Sequence, residues 1–339
     1  MVTVSESGAI QVLAAYPLEQ PVVVGSLAST RNENWLVADA AGRRYVLRRN
    51  RQHGAVERVE FQLRFQEHLL RGGFPTAEVI QPRARGLVVL DDDGVPWSLF
   101  TYIEGEHYDF ANMGQVAEAG RRLAQFHTVA ETFPGDDVVL DYGPPVRVWW
   151  VRCEENLQEL KEMYSGDDVQ DELSYLRKTW QTLLSEWPLS RLDSLTVGWV
   201  YSDYHGLNTV FRGDKLCGLF DFDDVNRGPL AFDVARGLHM FGREHRGARR
   251  IRPEVASLFV EEYARGRALS AEEREALPVL VALPYPPQAS YHRYCKQRFG
   301  EDIVARLRRE VGAMRWLSEE MARIGPALTL AGEGTPRAL

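Results

Sequence analysis

Residues 200–224 read VYSDYHGLNTVFRGDKLCGLFDFDD. Two runs of strand-forming residues in this segment, TVFR and KLCGLFDF, are separated only by Gly213 and Asp214. A Gly-Asp pair between two such runs is typical of a β-hairpin with a two-residue turn. We therefore predict a hairpin in which Arg212 pairs with Lys215.

The predicted hairpin register brings two oxygen-bearing side chains to one face. It sets Asn208 opposite Leu219, so that Asp221 lies diagonally from Asn208, about 7–8 Å away at the backbone. An amide and a carboxylate suit Mg²⁺, which takes hard oxygen ligands and completes its octahedron with water and nucleotide phosphates. We therefore predict that Asn208 and Asp221 bind one Mg²⁺ ion.

A further carboxylate precedes the hairpin. Asp203 lies five residues before Asn208, on the loop that leads into the first strand, where it can accept the proton of an attacking hydroxyl. Phosphoryl transfer requires little beyond a positioned hydroxyl, a metal on the phosphates and neutralisation of developing charge. Taken singly, Asp203 could be a loop-capping residue and Asp221 a surface charge, but together they favour phosphoryl transfer.

The order of these residues resembles a known family. Asp203-x-x-x-x-Asn208 is followed by Asp221-Phe222, by Gly228-Pro229 and by the run FDVA, residues 232–235. This combination is similar to the aminoglycoside phosphotransferase and choline kinase superfamily, including the homoserine kinases of protein-kinase-like fold, over roughly residues 20–320. The resemblance implies ATP and Mg²⁺ as cofactors, with Asp203 as the catalytic base and Asn208 and Asp221 as metal ligands.

The sequence before this segment predicts a small antiparallel sheet with one helix. The runs VVVGSL, ENWLVAD and RRYVLRR are rich in β-branched and aromatic residues and are bounded by Gly or polar turns, and LVVLDD and WSLFTYI add further strands. Between them, Val56, Val59 and Leu63 keep a helical spacing that stops at Gly72-Gly73.

Helical patterns prevail from Met113 onward, so we place a boundary near Ile103 to Gly105. The fold class is therefore predicted as α+β, with the bilobal protein-kinase-like fold that the resemblance implies. The predicted domains are an N-terminal nucleotide-binding lobe, residues 1–103, a mainly helical catalytic and substrate-binding lobe, residues 104–325, and a flexible tail, residues 326–339.

The resemblance also implies nucleotide contacts in the first lobe. WSLFTYIEGE looks like the family's hinge, whose backbone near Tyr102 and Ile103 would meet adenine. On the third strand, Arg48 stands where the family often has a phosphate-binding Lys, and it keeps the charge with a different geometry. Glu60 is the nearest candidate for the supporting helix glutamate, although alignment on the following GFP segment puts Gln62 in that place.

Two further departures from the family concern the loops. Tyr201 occupies the position of a His that mainly orients the catalytic loop, which puts the loop geometry in doubt more than the chemistry. The chain has no G-x-G-x-x-G loop before the second strand and no Walker A sequence. The small and polar residues from Ser26 to Asn34 would then cover the phosphates.

The acceptor site is less well specified. His205, Asp223 and Asp224 are predicted to bind substrate. The pattern also fits, and for His205 favours, a role in bracing the loop, and it also fits a second ion at Asp223 or Asp224 or a solvated loop there. With Glu104 and Glu106 they favour a cationic hydroxyl-bearing small molecule, such as an amino alcohol, homoserine, a sugar or an aminoglycoside.

Other groups near these positions have open interpretations. Asp233 resembles the family's structural Asp, which anchors the loop. The aromatic group Tyr285, Tyr291, His292 and Tyr294 lines either an acceptor pocket or the core. The basic stretch Arg243 to Arg252 binds an anion or is a solvated helix end.

Composition excludes several other classes of function. The chain has 339 residues, of which 45% are hydrophobic and 26% charged, proportions typical of a globular protein. Its formal charge of −8 argues against nucleic-acid binding. Three scattered cysteines predict neither disulfides nor a metal site. No signal peptide and no apolar run of membrane-spanning length occur, so we expect a cytoplasmic protein without a membrane partner.

Two alternatives to a kinase were weighed. A serine hydrolase built from Ser202, Asp203 and His205 fails because residues so close in sequence rarely converge as a triad, and no G-x-S-x-G elbow is present. A non-catalytic kinase-fold scaffold fits Tyr201 and Arg48, but it has no need of a base together with two metal ligands. Nothing in the pattern specifies an oligomeric state.

Overall fold

The structure is a computed structural model that describes residues 6–28, 32–51, 55–135, 145–166, 168–248, 250–282 and 287–331. The strands are β1 Val22–Leu27, β2 Glu33–Ala38, β3 Arg44–Arg49, β4 Val79–Ile80, β5 Val89–Leu90, β6 Pro96–Thr101, β7 Val197–Val200, β8 Thr209–Arg212, β9 Lys215–Leu219 and β10 Asn226–Pro229. The helices are α1 Glu6–Leu13, α2 Val56–Arg71, α3 Met113–Ala130, α4 Pro145–Met163, α5 Gln170–Glu186, α6 Leu189–Asp193, α7 Leu230–Gly242, α8 Pro253–Gly266, α9 Ala271–Ala282, α10 Ala289–Phe299 and α11 Ile303–Ala331.

These elements form two compact units. The first unit comprises Met1–Tyr108, Thr132–Val138 and Leu207–Val225, and the second comprises Asp109–Glu131, Val139–Gly206 and Asn226–Leu339. The predicted α+β class is confirmed, because an antiparallel sheet dominates the first part of the chain and helices dominate the rest. The predicted lobe boundary near residue 103 stays a prediction.

The first unit contains an antiparallel sheet in the order β1-β2-β3-β6-β4, with β5 paired to β6. Its core includes Trp35 and Trp97, whose rings stack with centroids 5.0 Å apart. Helix α1, which was not predicted, packs on this core through buried Ala9 and Leu13. Short, mixed sequences such as α1 carry little periodicity, and tertiary contacts of this kind decide their structure.

The hairpin of β8 and β9 belongs to the first unit, and its register differs from the prediction at one point. Arg212 pairs with Lys215 as predicted, but Val210 pairs with Gly218, so Cys217 is an extra residue on β9. Because this bulge shifts the register by one, Thr209 rather than Asn208 faces Leu219.

A glycine lies beside the bulge for a steric reason. A Cβ atom on Gly218 would lie 2.4 Å from Ile103 Cδ1, so a larger residue here would require the Ile103 side chain to move. The backbone of the hairpin is held on both sides, because Leu219 N donates to Pro75 O at 3.0 Å and Glu106 N donates to Phe211 O at 2.8 Å.

The second unit is mainly helical, with one short pair of strands. Strands β7 and β10 pair antiparallel, with Val200 opposite Asn226 and Val197 opposite Pro229. Helix α7 begins directly after β10. The pairing therefore holds the residues that follow β7 beside the first turn of α7.

The C-terminal end differs from the prediction. Helix α11 continues to Ala331, past residue 326 where the flexible tail was predicted to begin, and residues 332–339 lie outside the described residues. Among the helices that the structure describes, none combines the length and the apolar character needed to span a membrane.

Helices α3 and α8 approach each other closely at Gly120, and this contact can be tested. A Cβ atom there would lie 2.4 Å from the carbonyl oxygen of Phe259 and 3.2 Å from the amide nitrogen of Tyr263. Gly120→Ala should therefore force the two helices apart and lower the free energy of unfolding by about 1–3 kcal/mol. Chemical denaturation measures this change. Gly166→Ala is the control, because no heavy atom of a residue that the structure describes lies within 4 Å of that Cβ position, and equal stabilities of the two variants would contradict the prediction.

Candidate active site

The loop after β7 is anchored by a buried carboxylate. Asp233, in the first turn of α7, is fully buried and accepts hydrogen bonds from the backbone amides of Tyr201 at 2.5 Å and Ser202 at 2.8 Å. His127 Nε2 lies 3.1 Å from the Asp233 carboxylate, and Tyr263 lies on the other side of the imidazole at 2.8 Å from Nδ1. The predicted anchoring role of Asp233 is confirmed.

Asp203 directly follows the backbone that Asp233 anchors, and its carboxylate makes two polar contacts. Arg236 Nη2 donates to its Oδ1 at 2.7 Å, and His205 Nε2 lies 3.1 Å from its Oδ2. About a third of the Asp203 side chain, 33%, remains exposed, whereas Arg236 is buried. The carboxylate is therefore held in position and still accessible to a ligand.

The same contacts keep Asp203 ionised. Burial by itself would raise the pKa of this carboxyl, but the hydrogen bond from His205 and the charge of Arg236 outweigh burial and lower the pKa to about 2. Burial also lowers the pKa of Arg236 to about 10, and its guanidinium stays protonated at neutral pH. Asp203 is thus an anion over the whole physiological pH range.

Tyr201 fills the position where the family has a His, and it does so as a core residue. Its side chain is fully buried, with its ring at 6.0 Å from that of Phe126 and 6.1 Å from that of Tyr204, both edge-on. The Tyr201 backbone rather than its side chain meets Asp233. The loop is therefore held without a His at this position.

The two predicted metal ligands lie at the open end of the hairpin in the first unit. Phe220 N donates to Asn208 O at 3.1 Å, so Asp221 is the next residue past the cross-strand neighbour of Asn208, not its diagonal partner. Asn208 is buried, and Asp221 is part-exposed with a positive φ of 71°. An Asp tolerates this left-handed conformation better than most residues. Strand β9 ends at Leu219, before Asp221. The alternation of side-chain directions that the predicted register assumed therefore does not extend to Asp221.

Arg48, on β3, connects two of the acidic residues. Its Nη2 donates to Asp221 Oδ1 at 3.1 Å and to Asp223 Oδ2 at 2.6 Å. Asp223 is buried and also accepts from Asn32 Nδ2 at 2.8 Å. Asp223 therefore supports Arg48, and its contact with the acceptor stays a prediction.

Helix α2 supports this group through the backbone of Asp223. Arg58 Nη2 donates to Asp223 O at 2.7 Å, and Gln62 Nε2 donates to the same oxygen at 3.3 Å. Glu60, predicted to support nucleotide binding, forms an ion pair with Arg64, and its role in nucleotide binding stays a prediction. At 100° per residue, Glu60 lies on the side of α2 opposite to Gln62. Gln62 is buried, so the alignment on the GFP segment correctly identified the residue that faces the core.

The predicted hinge follows β6. Tyr102 N donates to Arg44 O at 3.0 Å, and the Arg44 guanidinium lies 4.4 Å from the centre of the Tyr102 ring. Within the described part of the chain, the Tyr102 carbonyl and the Ile103 amide form no backbone hydrogen bond. An acceptor and a donor are thus available at the position predicted to meet adenine.

The remaining residues predicted to contact the acceptor have contacts of their own. Asp224 is exposed, and Glu104 forms an ion pair with Arg44. Tyr291 and Tyr294 stack on each other at the surface of α10, while His292 is buried between Tyr164 and Glu310. Tyr285 and residues 29–31 of the expected phosphate-covering loop lie outside the described residues.

Arg236 was not identified from the sequence. It lies three residues after Asp233 in the run LAFDVARGLHMF, where a single arginine interrupts a buried, mostly apolar helix. A cation in such a run is costly unless it is paired. That cost was the available signal that Arg236 has a carboxylate partner.

Comparison with known sequences gives one family and several relatives. The model of the phosphotransferase enzyme family matches residues 25–274. A homoserine kinase of Sinorhizobium medicae (strain WSM419) is 30% identical over 289 residues, covering 82% of this chain and 81% of that protein. A homoserine kinase of Rhodopseudomonas palustris (strain BisA53) is 27% identical over 272 residues, covering 79% and 78%.

Solved structures share the fold. A microcompartment-associated aminopropanol kinase superposes with a TM-score of 0.71 at 18% identity, covering 95% of this chain and 98% of that one. The amicoumacin kinase hAmiN, in complex with AMP-PNP, Ca²⁺ and Ami, superposes with a TM-score of 0.67 at 18% identity, covering 94% of each chain. The predicted protein-kinase-like fold is confirmed.

The low pKa of Asp203 predicts how its contribution to stability depends on pH. Its pKa is about 2 in the folded protein and about 3.9 in an unfolded chain. Because the folded value is lower, the stabilisation is fully present above about pH 4 and is lost as the pH falls towards 2. The difference in unfolding free energy between the wild type and Asp203→Asn should therefore shrink from pH 6 to pH 3, as measured by urea denaturation. Ser202→Ala removes no titratable group and should give a constant difference; a constant difference for Asp203→Asn would contradict the assignment.

Proposed function

Since this chain belongs to the phosphotransferase enzyme family, we propose that it transfers the γ-phosphoryl group of ATP, with Mg²⁺, to a hydroxyl group of a small molecule. The observation that carries the proposal is the state of Asp203. This carboxylate is ionised, partly exposed and fixed by Arg236, while the backbone before it is fixed by Asp233. A catalytic base in a phosphotransferase has to meet these requirements.

The reaction follows from this state of the carboxylate. The acceptor oxygen attacks the γ-phosphorus, a new O–P bond forms, the bond from phosphorus to the β–γ bridging oxygen breaks, and ADP leaves with that electron pair. The acceptor proton passes to the Asp203 carboxylate. Because the pKa of Asp203 is about 2, this proton transfer becomes favourable only after O–P bond formation has acidified the hydroxyl. Asp203 therefore acts first by orienting the acceptor.

The donor set at the end of the hairpin suits Mg²⁺. Among the described residues, no group of three or more His, Cys, Asp and Glu side chains could hold a metal ion. Asn208 and Asp221 would instead supply one amide and one carboxylate oxygen. Mg²⁺ commonly takes only one or two ligands from the protein when phosphates and water complete its coordination. When bound, Mg²⁺ neutralises charge on the phosphates.

The nucleotide would contact the first unit. Tyr102 and Ile103 offer the backbone acceptor and donor for adenine, and Arg48 offers a guanidinium for phosphate while Asp223 holds it. AMP-PNP in the solved structure of the amicoumacin kinase supports nucleotide binding by this fold.

The acceptor belongs to the small hydroxyl compounds. Relatives named homoserine kinase and a structural neighbour named aminopropanol kinase support an acceptor that carries both a hydroxyl and an amine. We rank homoserine first, before other amino alcohols, sugars and aminoglycoside-like compounds. Screening these compounds for release of ADP tests the proposal directly.

Removal of the base gives the first test of mechanism. Asp203→Ala should lower turnover by about 10²- to 10⁴-fold, because proton acceptance and orientation of the acceptor are lost. Nucleotide binding should remain largely intact, since Asp203 is proposed to contact the acceptor. ADP release and a nucleotide titration measure the two quantities. Asp214→Ala, in the exposed turn between β8 and β9, is the matched control, and an active Asp203→Ala variant would remove the assignment.

Metal dependence gives the second test. ATP with Mg²⁺ should raise the melting temperature more than ATP with EDTA, since saturation at 100 times Kd stabilises a protein by about 2.7 kcal/mol. Asp221→Asn keeps a residue that tolerates positive φ but should lose the Mg²⁺-dependent part of the shift, whereas Asp214→Asn should retain it. No response of the wild type to either mixture would instead favour a non-catalytic scaffold.

A further inference from the structure

Helix α7 carries basic side chains beyond the one that contacts Asp203. Arg236, His239 and Arg243 follow at spacings of three and four, so they share one face of the helix and its end. Arg236 contacts Asp203 at 2.7 Å, and Arg243 Nη2 lies 3.4 Å from His239 Nε2. A basic face therefore runs from the proposed catalytic base along α7.

The contact with Arg243 fixes the tautomer of His239. A guanidinium has only donors, so His239 Nε2 must accept and the ring proton lies on Nδ1. Burial, followed by the charges of Arg243 and Arg236, holds the pKa of His239 well below its usual value, which keeps the ring neutral. Nδ1 is buried and has no hydrogen-bond partner among the described residues. An unsatisfied buried donor is destabilising, and an oxygen acceptor from a ligand would relieve this cost.

Arg243 differs from Arg250 and Arg252, two other arginines of its segment. It forms no ion pair with any described residue, its Nε is buried without a partner, and burial lowers its pKa. Arg250 is exposed and lies 3.9 Å from Glu244, and Arg252 donates to the carbonyl of Phe110. A partly buried guanidinium with no carboxylate beside it is suited to an anionic ligand.

We propose that His239 and Arg243 bind a carboxylate of the acceptor while its hydroxyl lies at Asp203, an inference that rests on the proposed function. With a rise of 1.5 Å per residue, these positions lie about 4.5 and 10 Å along α7 from Arg236. Homoserine, with four bonds from its hydroxyl oxygen to its carboxylate carbon, spans about 5 Å. A polycationic acceptor would meet like charges here, so the acceptor is a hydroxy acid or a hydroxy amino acid.

Three acceptors that differ by one group test this proposal. They are homoserine, 3-aminopropan-1-ol, which lacks its carboxylate, and 4-hydroxybutyrate, which lacks its amine. The full-length wild type should prefer the two carboxylates. Arg243→Gln should lower kcat/KM for both by about 10- to 100-fold, the loss of one charge-assisted hydrogen bond, mainly through KM. Its rate with 3-aminopropan-1-ol should be unchanged, which also shows that the variant folds.

Two further variants complete the design. His239→Phe should reproduce the effect of Arg243→Gln, and Arg250→Gln, at an exposed arginine of the same segment, should behave as the wild type. If the wild type uses 3-aminopropan-1-ol as well as homoserine, or if Arg243→Gln slows all three acceptors equally, the carboxylate site is wrong while the phosphotransferase proposal stands. If no small hydroxyl compound is phosphorylated, the proposed function fails and this inference fails with it.

Discussion

The double hydrogen bond from the loop backbone to the Asp233 carboxylate is the constraint on which the chemistry depends. Two consecutive amides point at one buried carboxylate, and Ser202, which donates the second of these hydrogen bonds, has a positive φ of 69°. Such a conformation costs free energy for a residue other than glycine and persists only where surrounding contacts enforce it. The pairing of β7 with β10 and the contact of His127 with Asp233 provide that enforcement. The position of Asp203 thus follows from the backbone two residues earlier.

A common electrostatic arrangement occurs in each unit. In the second unit a buried arginine, Arg236, holds the carboxylate of Asp203, and in the first unit Arg48 holds Asp221 and Asp223. A charge removed from water requires a partner of opposite sign. In each unit, therefore, an arginine from a neighbouring helix or strand orients acidic side chains.

Much of this arrangement could be predicted from local sequence. Gly213-Asp214 determines the hairpin turn, and the apolar spacing of α2 together with Gly72 determines that helix and its end. The bulge could not be predicted, because local strand propensity does not show which residue of β9 is left without a cross-strand partner. Nor could Asp223 be distinguished from Asp224, since only tertiary packing buries one acid and exposes the other. Arg236 was missed for the same reason, because helical periodicity does not show which carboxylate a buried cation meets.

The extra residue on β9 also limits how this segment can change in length. Since alternate residues of a strand face opposite sides, loss of the one-residue insertion at Cys217 would reverse the orientation of every side chain between it and the end of the strand. Substitution at Cys217 leaves the spacing intact, whereas a deletion there would disturb the approach to Asp221. The length of the segment is therefore under tighter constraint than the identity of its bulged residue.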